Sequence, residues 1–266
     1  MQASITLTDA PAVRYVLRIA DTCLIHAQRL GEWCGHAPVL EEDIALTNMA
    51  LDLVGQARAL LTRAAQIEGL GRDEDQLAFL RDERDYFNLT LAELPNAPLD
   101  PRGAGGDFAF TVLRNFTLAT WMRLLWERLQ TSSDAEVAAI AGKALKESRY
   151  HQEHAAGWVI RLGDGTADSA RRMQEALTLL WPYAREIFED DRVDQAASEQ
   201  GIGPRWSELQ PAWQKYVEQV LEAAGLQTPP ETRFLSTGKQ GRHSEHMGYL
   251  LTDMQYLQRS FPGGVW

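Results

Sequence analysis

A chain of 266 residues, 45% of them apolar, can bury a sizeable core in one large domain, and a net charge of −11 leaves no clustered cationic surface for a nucleic acid. Cys23 and Cys34 are the only cysteines, too few for a disulfide framework and without the spacing of a zinc or iron-sulfur site, so a reducing cytoplasm is expected. Met1 to Pro11 lack the basic and apolar regions of an export signal, and no apolar run reaches the roughly 18 residues of a membrane span; a soluble, unexported protein is predicted.

Asp9 followed by Pro11 reads as a cap and first-turn proline, after which Val13, Val16, Leu17, Ala20, Leu24 and Ala27 recur at helical spacing up to Gly31. A second pattern, through Ile44, Leu51, Val54, Leu60 and Leu61, stops near Gly69 and Gly71 and predicts a helix of about thirty residues. The charged stretch Arg72 to Asp85 and the Pro/Gly-rich passage Pro95 to Gly106 are expected to hold short helices and a crossover connection. A third helix spans Phe108 to Leu129. A fourth follows the Ser132-Ser133-Asp134 cap and runs to Leu162, ended by Gly163. Shorter helical pieces are predicted at Ser169 to Phe188, Glu208 to Ala224 and Gly241 to Gln258, and no segment reads as a strand.

Two long helices, a longer connection and two more long helices give the order of an all-α, ferritin-like four-helix bundle, with additional C-terminal helices: one domain, its core bundle at about 10–163 and a helical extension at about 165–266. A di-iron bundle needs a Glu from each of two helices and a Glu-x-x-His pair from each of the others. The first helix offers Asp21, a short acid, and His26. The second has Asp52, Leu53 and Gln56, with Leu53 and Gln56 in place of a Glu-x-x-His pair. The third has no carboxylate between Val112 and Leu125. The fourth carries Glu147, Ser148, Tyr150 and His151, one residue out of register: Tyr150 stands three after Glu147, and Ser148 three before His151. Glu147 and His151 still share a face at i, i+4, which suits a hydrogen-bonding role. These positions read as a degenerate metal site inside a self-satisfied polar cluster, and no catalytic, cofactor-binding or metal residue is assigned. Elsewhere, Glu32-Trp33-Cys34-Gly35-His36 at a helix end reads as capping or packing. His243 and His246, at i, i+3 on a predicted helix, have the spacing to hold a metal but lack a third ligand. No nucleophile elbow, phosphate loop or dinucleotide fingerprint is present.

Several long strings resemble one family, the phenylacetate-CoA oxygenase component PaaC. They are Gln28 to Pro38, Leu51-Asp52-Leu53 with Gly55-Gln56-Ala57-Arg58, Leu77-Ala78-Phe79 with Asp82-Glu83-Arg84, and Lys146-Glu147 with Arg149-Tyr150-His151. In the tail, Thr237-Gly238-Lys239, His243, Glu245-His246, Met254 to Arg259, Pro262-Gly263 and Trp266 extend the match nearly end to end. The resemblance implies a component of a multicomponent phenylacetyl-CoA 1,2-epoxidase, the monooxygenase of phenylacetate catabolism. In that family the di-iron centre belongs to a PaaA-like catalytic subunit, and a reductase carries flavin and iron-sulfur. It implies a non-catalytic structural subunit without a cofactor of its own, holding the PaaA-like partner in a hetero-oligomer with the other subunits and pairing with itself when alone. The rival readings are a subunit that binds iron through a nonstandard set such as Asp21, Asp52, Glu147 and His151, a storage protein, and an unrelated helical scaffold. The eight Trp residues, Trp121, Trp126, Trp158 and Trp213 among them, are candidate interface anchors, with core packing the safer assignment.

Overall fold

Four long helices carry the core: α1 (Pro11–Gly31), α2 (Leu40–Glu68), α5 (Phe108–Leu129) and α6 (Ala135–Gly163). The computed structural model describes residues 4–96 and 107–264. Between the two helix pairs lie the short α3 (Glu74–Phe79) and α4 (Thr90–Glu93), and after them come α7 (Ala167–Ala184), α8 (Arg192–Glu199), α9 (Gln210–Ala223) and α10 (His246–Ser260). Among the described residues there is no β-strand beyond a single Thr237–Arg242 bridge, and no helix is long and apolar enough to cross a membrane. Residues 97–106 of the expected crossover, and Trp266, lie outside the described residues.

Local chemistry sets the helix ends. Asp107 caps α5 by accepting from the Phe110 amide (3.1 Å), and Asp134 caps α6 by accepting from Glu136 and Val137 (both 3.1 Å). Gly69, in the left-handed region at φ 72°, closes α2. The first cap differs from expectation: Ala10 is the N-cap and makes no side-chain bond, while Asp9 pairs with Arg14 (3.0 Å) and Arg192 (2.8 Å), two long cations that reach it from different elements.

Helices α1 and α5 form the interior of the bundle. Residues 15–27 of α1 and 109–122 of α5 are buried without a break, so these helices are covered on every side. The covering comes from α2 and α8 on α1, and from α6, α7 and α9 on α5. The C-terminal helices therefore complete the core, where each buried Leu, Ile or Phe contributes roughly 1.5–3 kcal/mol. Trp121, Trp126 and Trp213 are buried, Trp121 against Trp206 at 4.6 Å between ring centroids; Trp158 is half-buried with its ring edge to Phe108 at 5.2 Å. All four pack within the fold.

Asp21 and Arg18 of α1 are buried against charged partners. Asp21 meets Arg81 in a two-pronged ion pair, one arm at 2.9 Å, both side chains fully buried, and also accepts from the Phe87 amide (2.9 Å). Arg18 binds Asp191 (2.5 and 3.0 Å), Asp194 (3.1 Å) and the carbonyl of Lys239 (3.2 Å). The Thr237-Gly238-Lys239 string thus lies against the first helix. A Cβ on Gly238 would collide with the Asn88 carbonyl, and one on Gly241, at φ 76°, with that of Arg84, so this loop docks only because both are glycine. Buried Glu186 fixes it by accepting from the amides of Thr90 (3.0 Å) and Lys239 (2.8 Å) and from the Ser236 hydroxyl (2.7 Å).

The predicted helix Gly241 to Gln258 begins only at His246. His243 stands in the preceding loop, its ring buried between Glu93 Oε2 (2.7 Å, to Nδ1) and the Tyr86 carbonyl (3.0 Å, to Nε2). With an acceptor at each nitrogen the imidazolium is favoured: burial opposes its charge, but Glu93 outweighs this and raises the pKa. His243 and His246 therefore share no helix face, and the expected i, i+3 pair does not exist.

Candidate functional site

The four long helices meet in a polar centre. From α1 come Cys23 and His26, from α2 Met49, Leu53 and Gln56, from α5 Asn115, and from α6 Ser148 and His151, all buried. Cys23 Sγ donates to Gln56 Oε1 (3.7 Å), and Gln56 Nε2 donates to Glu147 Oε2 (2.9 Å), a chain linking α1, α2 and α6. His26 Nε2 donates to Asn115 Oδ1 (3.1 Å) while Asn115 Nδ2 points to Met49 Sδ (3.4 Å), linking α1, α5 and α2. At the edge, His151 Nε2 lies 3.0 Å from Asp52 Oδ2.

The inward pairs at i, i+3 are Leu53 with Gln56 on α2 and Ser148 with His151 on α6. They have the i, i+3 spacing of the Glu-x-x-His pairs of a di-iron bundle, and hold one imidazole and no carboxylate. Cys23 and Asn115 occupy the centre on the other two helices. A buried amide, a hydroxyl, and a thiol whose pKa burial raises do not provide the charge-balancing oxygens that iron needs. Among the described residues no three His, Cys, Asp or Glu side chains are placed to hold a metal ion.

Of the residues singled out from sequence, the structure brings together Asp52 with His151 and Gln56 with Glu147, and buries Leu53 beside them. Asp21 takes no part, because Arg81 and the Phe87 amide hold its carboxylate. Tyr150 is half exposed, its ring against His151 and His154. The inward pair on α6 is Ser148 with His151, not Glu147 with Tyr150. Cys23, Met49 and Asn115 are absent from the sequence reading because hard iron-oxygen chemistry points to carboxylates and imidazoles, and their partners Gln56 and His26 lie on other helices.

Over the length of the chain a single assignment fits. The whole sequence, residues 1–266, matches the family model described as phenylacetic acid catabolic protein. The chain belongs to that family. It is also 47% identical, over 252 residues, to the C component of the 1,2-phenylacetyl-CoA epoxidase of Escherichia coli (strain K12), a match covering 95% of this chain and 98% of that protein.

The electrostatics of the polar centre favour neutral groups. Burial, with Arg114 and His151 nearby, drives His26 down to about 3 against the bond from Asn115, and burial also lowers His151 against the pull of Asp52. The unfolded chain takes up a proton at His26 near 6.5, the folded chain only near 3, so acid favours unfolding across that window. Wild type is expected to lose roughly 2–3 kcal/mol between pH 6.5 and 4.5 from this group alone, at about 1.4 kcal/mol per pH unit. Urea unfolding across that range should give a flatter profile for His26→Gln; equal slopes would refute the assignment.

Proposed function

We propose that this chain is a non-catalytic structural subunit of a phenylacetyl-CoA 1,2-epoxidase, the ring-epoxidising step of phenylacetate catabolism. It supports a di-iron catalytic subunit of the PaaA type, in a complex that draws electrons from a reductase carrying flavin and iron-sulfur. The observation that supports this reading is the make-up of the bundle centre: Cys23, Leu53, Asn115 and Ser148 are buried there, where a di-iron protein needs acids. The name of the Escherichia coli relative supports the epoxidase-component part of this reading. Within such a complex the chain's own contribution is shape. The Cys23–Gln56–Glu147 and His26–Asn115–Met49 chains hold four helices at fixed spacing with hydrogen bonds, where the catalytic bundle uses metal-ligand bonds for the same purpose.

Elemental analysis of the chain purified alone, and then with its catalytic partner, tests the proposal. The lone chain is expected to hold no stoichiometric iron and the complex about two irons per catalytic partner. Stoichiometric iron in the lone chain would instead make it an iron-binding subunit.

A further inference from the structure

The loop that precedes α10 is laid closely on residues 84–93. At Gly238 and Gly241 the two stretches meet backbone to backbone, against the carbonyls of Asn88 and Arg84. Helix α10 extends the contact: Gln255 Nε2 donates to the Arg81 carbonyl (3.0 Å) and the Tyr86 hydroxyl (2.7 Å), and Arg259 donates to the carbonyls of Phe79 (3.1 Å) and Arg81 (2.8 Å). An amide and a guanidinium keep their protons across the neutral range. His243, between the loop and the helix, does not, and it is the fastening whose strength depends on pH.

Its side chain is fully buried, with Nδ1 on the Glu93 carboxylate (2.7 Å) and Nε2 on the Tyr86 carbonyl (3.0 Å). Both partners are acceptors, so each nitrogen must bring its own proton, and only the imidazolium carries two. A neutral ring keeps one N–H and turns a bare lone pair on the other acceptor, in a place shielded from water. Glu93, also fully buried, has other donors among the described residues in Asn88 Nδ2 (2.8 Å) and the Ser244 amide (2.5 Å), neither of them charged. The remaining charged and titratable groups about the pair come from three elements. Arg29 of α1 is engaged by the Glu93 backbone carbonyl (2.7 and 2.9 Å) and by Glu32 (2.5 Å), Glu83 in the turn before Tyr86 adds a negative charge that favours the imidazolium, and Tyr183 of α7 feels the charge of Glu93. We propose that residues 236–260 form a pH-operated clasp, closed on residues 84–93 while His243 is an imidazolium and released from them when the ring is neutral.

The direction follows from linkage. In the released segment the ring titrates at its ordinary 6.5; in the closed one burial opposes the charge but Glu93 outweighs it, and the value is higher. Closure is therefore firmest below 6.5 and weakens by up to about tenfold per pH unit above it, until the closed-state value is passed. Hydrogen exchange of the full chain between pH 6 and 9, corrected for the intrinsic pH dependence of exchange, tests this. Protection of the amides of the loop and α10 is expected to fall as the pH rises while that of α5 holds. Nitrogen-15 spectra at pH 7 should show both ring nitrogens of His243 protonated. His243→Gln, which cannot charge, should exchange faster in this segment at pH 6 and give a flat profile. Lys239 in the same loop lies beside Asp194 (3.5 Å) and over the Trp206 ring (4.6 Å), and burial lowers its pKa, so it too discharges as the pH rises. The variant separates the two: a fall in protection that persists in His243→Gln belongs to Lys239 and overturns the proposal. Wild-type protection independent of pH, or a His243 ring holding a single proton at pH 7, would overturn it as well.

Discussion

Asp21→Ala is expected to lower the free energy of unfolding by about 3–5 kcal/mol, the range for breaking a buried ion pair by removing one partner. The size follows from what stays behind. Arg81 is fully buried, its guanidinium over the Tyr86 ring at 4.1 Å, and without Asp21 it keeps only the carbonyls of Leu77 and Asp85 as acceptors. The Phe87 amide loses its acceptor as well. Asp21→Asn should lose less, because an amide oxygen still accepts from Phe87. A double Asp21→Leu, Arg81→Met variant should recover a large part of the loss by removing both charges together. Denaturant unfolding measures all three; an alanine variant within about 1 kcal/mol of wild type would show that water reaches the pair.

Glu186→Ala should cost about 3 kcal/mol or more, and locally. Two backbone amides and one hydroxyl, from Thr90, Lys239 and Ser236, lose their shared acceptor in a buried position. They lie on α4 and on the loop before α10, so the amides of 236–241 should exchange with solvent much faster in the variant while those of α5 change little. Hydrogen exchange by mass spectrometry reads this directly. Uniform loosening across all helices would mean that Glu186 acts on global stability and not on the docking of the loop.

Much of this architecture was legible in the chain. Asp134 ahead of an apolar run and Gly69 behind one are capping chemistry, which is local, and both helix ends fall where those residues put them. The missing carboxylate in α5 was equally plain. What the sequence could not reveal depends on partners distant along the chain. Asp21 reads in sequence as a candidate ligand because Arg81 stands sixty residues away, and His243 reads as helical because Glu93 and the Tyr86 carbonyl, which hold it in a loop, are more than a hundred residues away. Periodicity detects an apolar face but does not say which of two faces is inside, and so Ile44, Leu51 and Val54 were read together with Leu60 and Leu61. On α6 the helix was certain and its rotation was not. One step separates Glu147 from Ser148, and only packing decides which of them looks inward.

The position of Arg18 has a consequence for how the protein is made. Its guanidinium sits in the first helix and is buried, yet Asp191, Asp194 and the Lys239 carbonyl, which satisfy it, are translated about 170 to 220 residues later. A growing chain that has released only the four long helices carries an unpaired cation on the helix that must lie innermost. Burying Arg18 before those segments dock would leave its charge uncompensated, which disfavours closing the four long helices around it ahead of the C-terminal segments. Until Asp191, Asp194 and the Lys239 carbonyl are in place, water is the partner that leaves the Arg18 charge least costly.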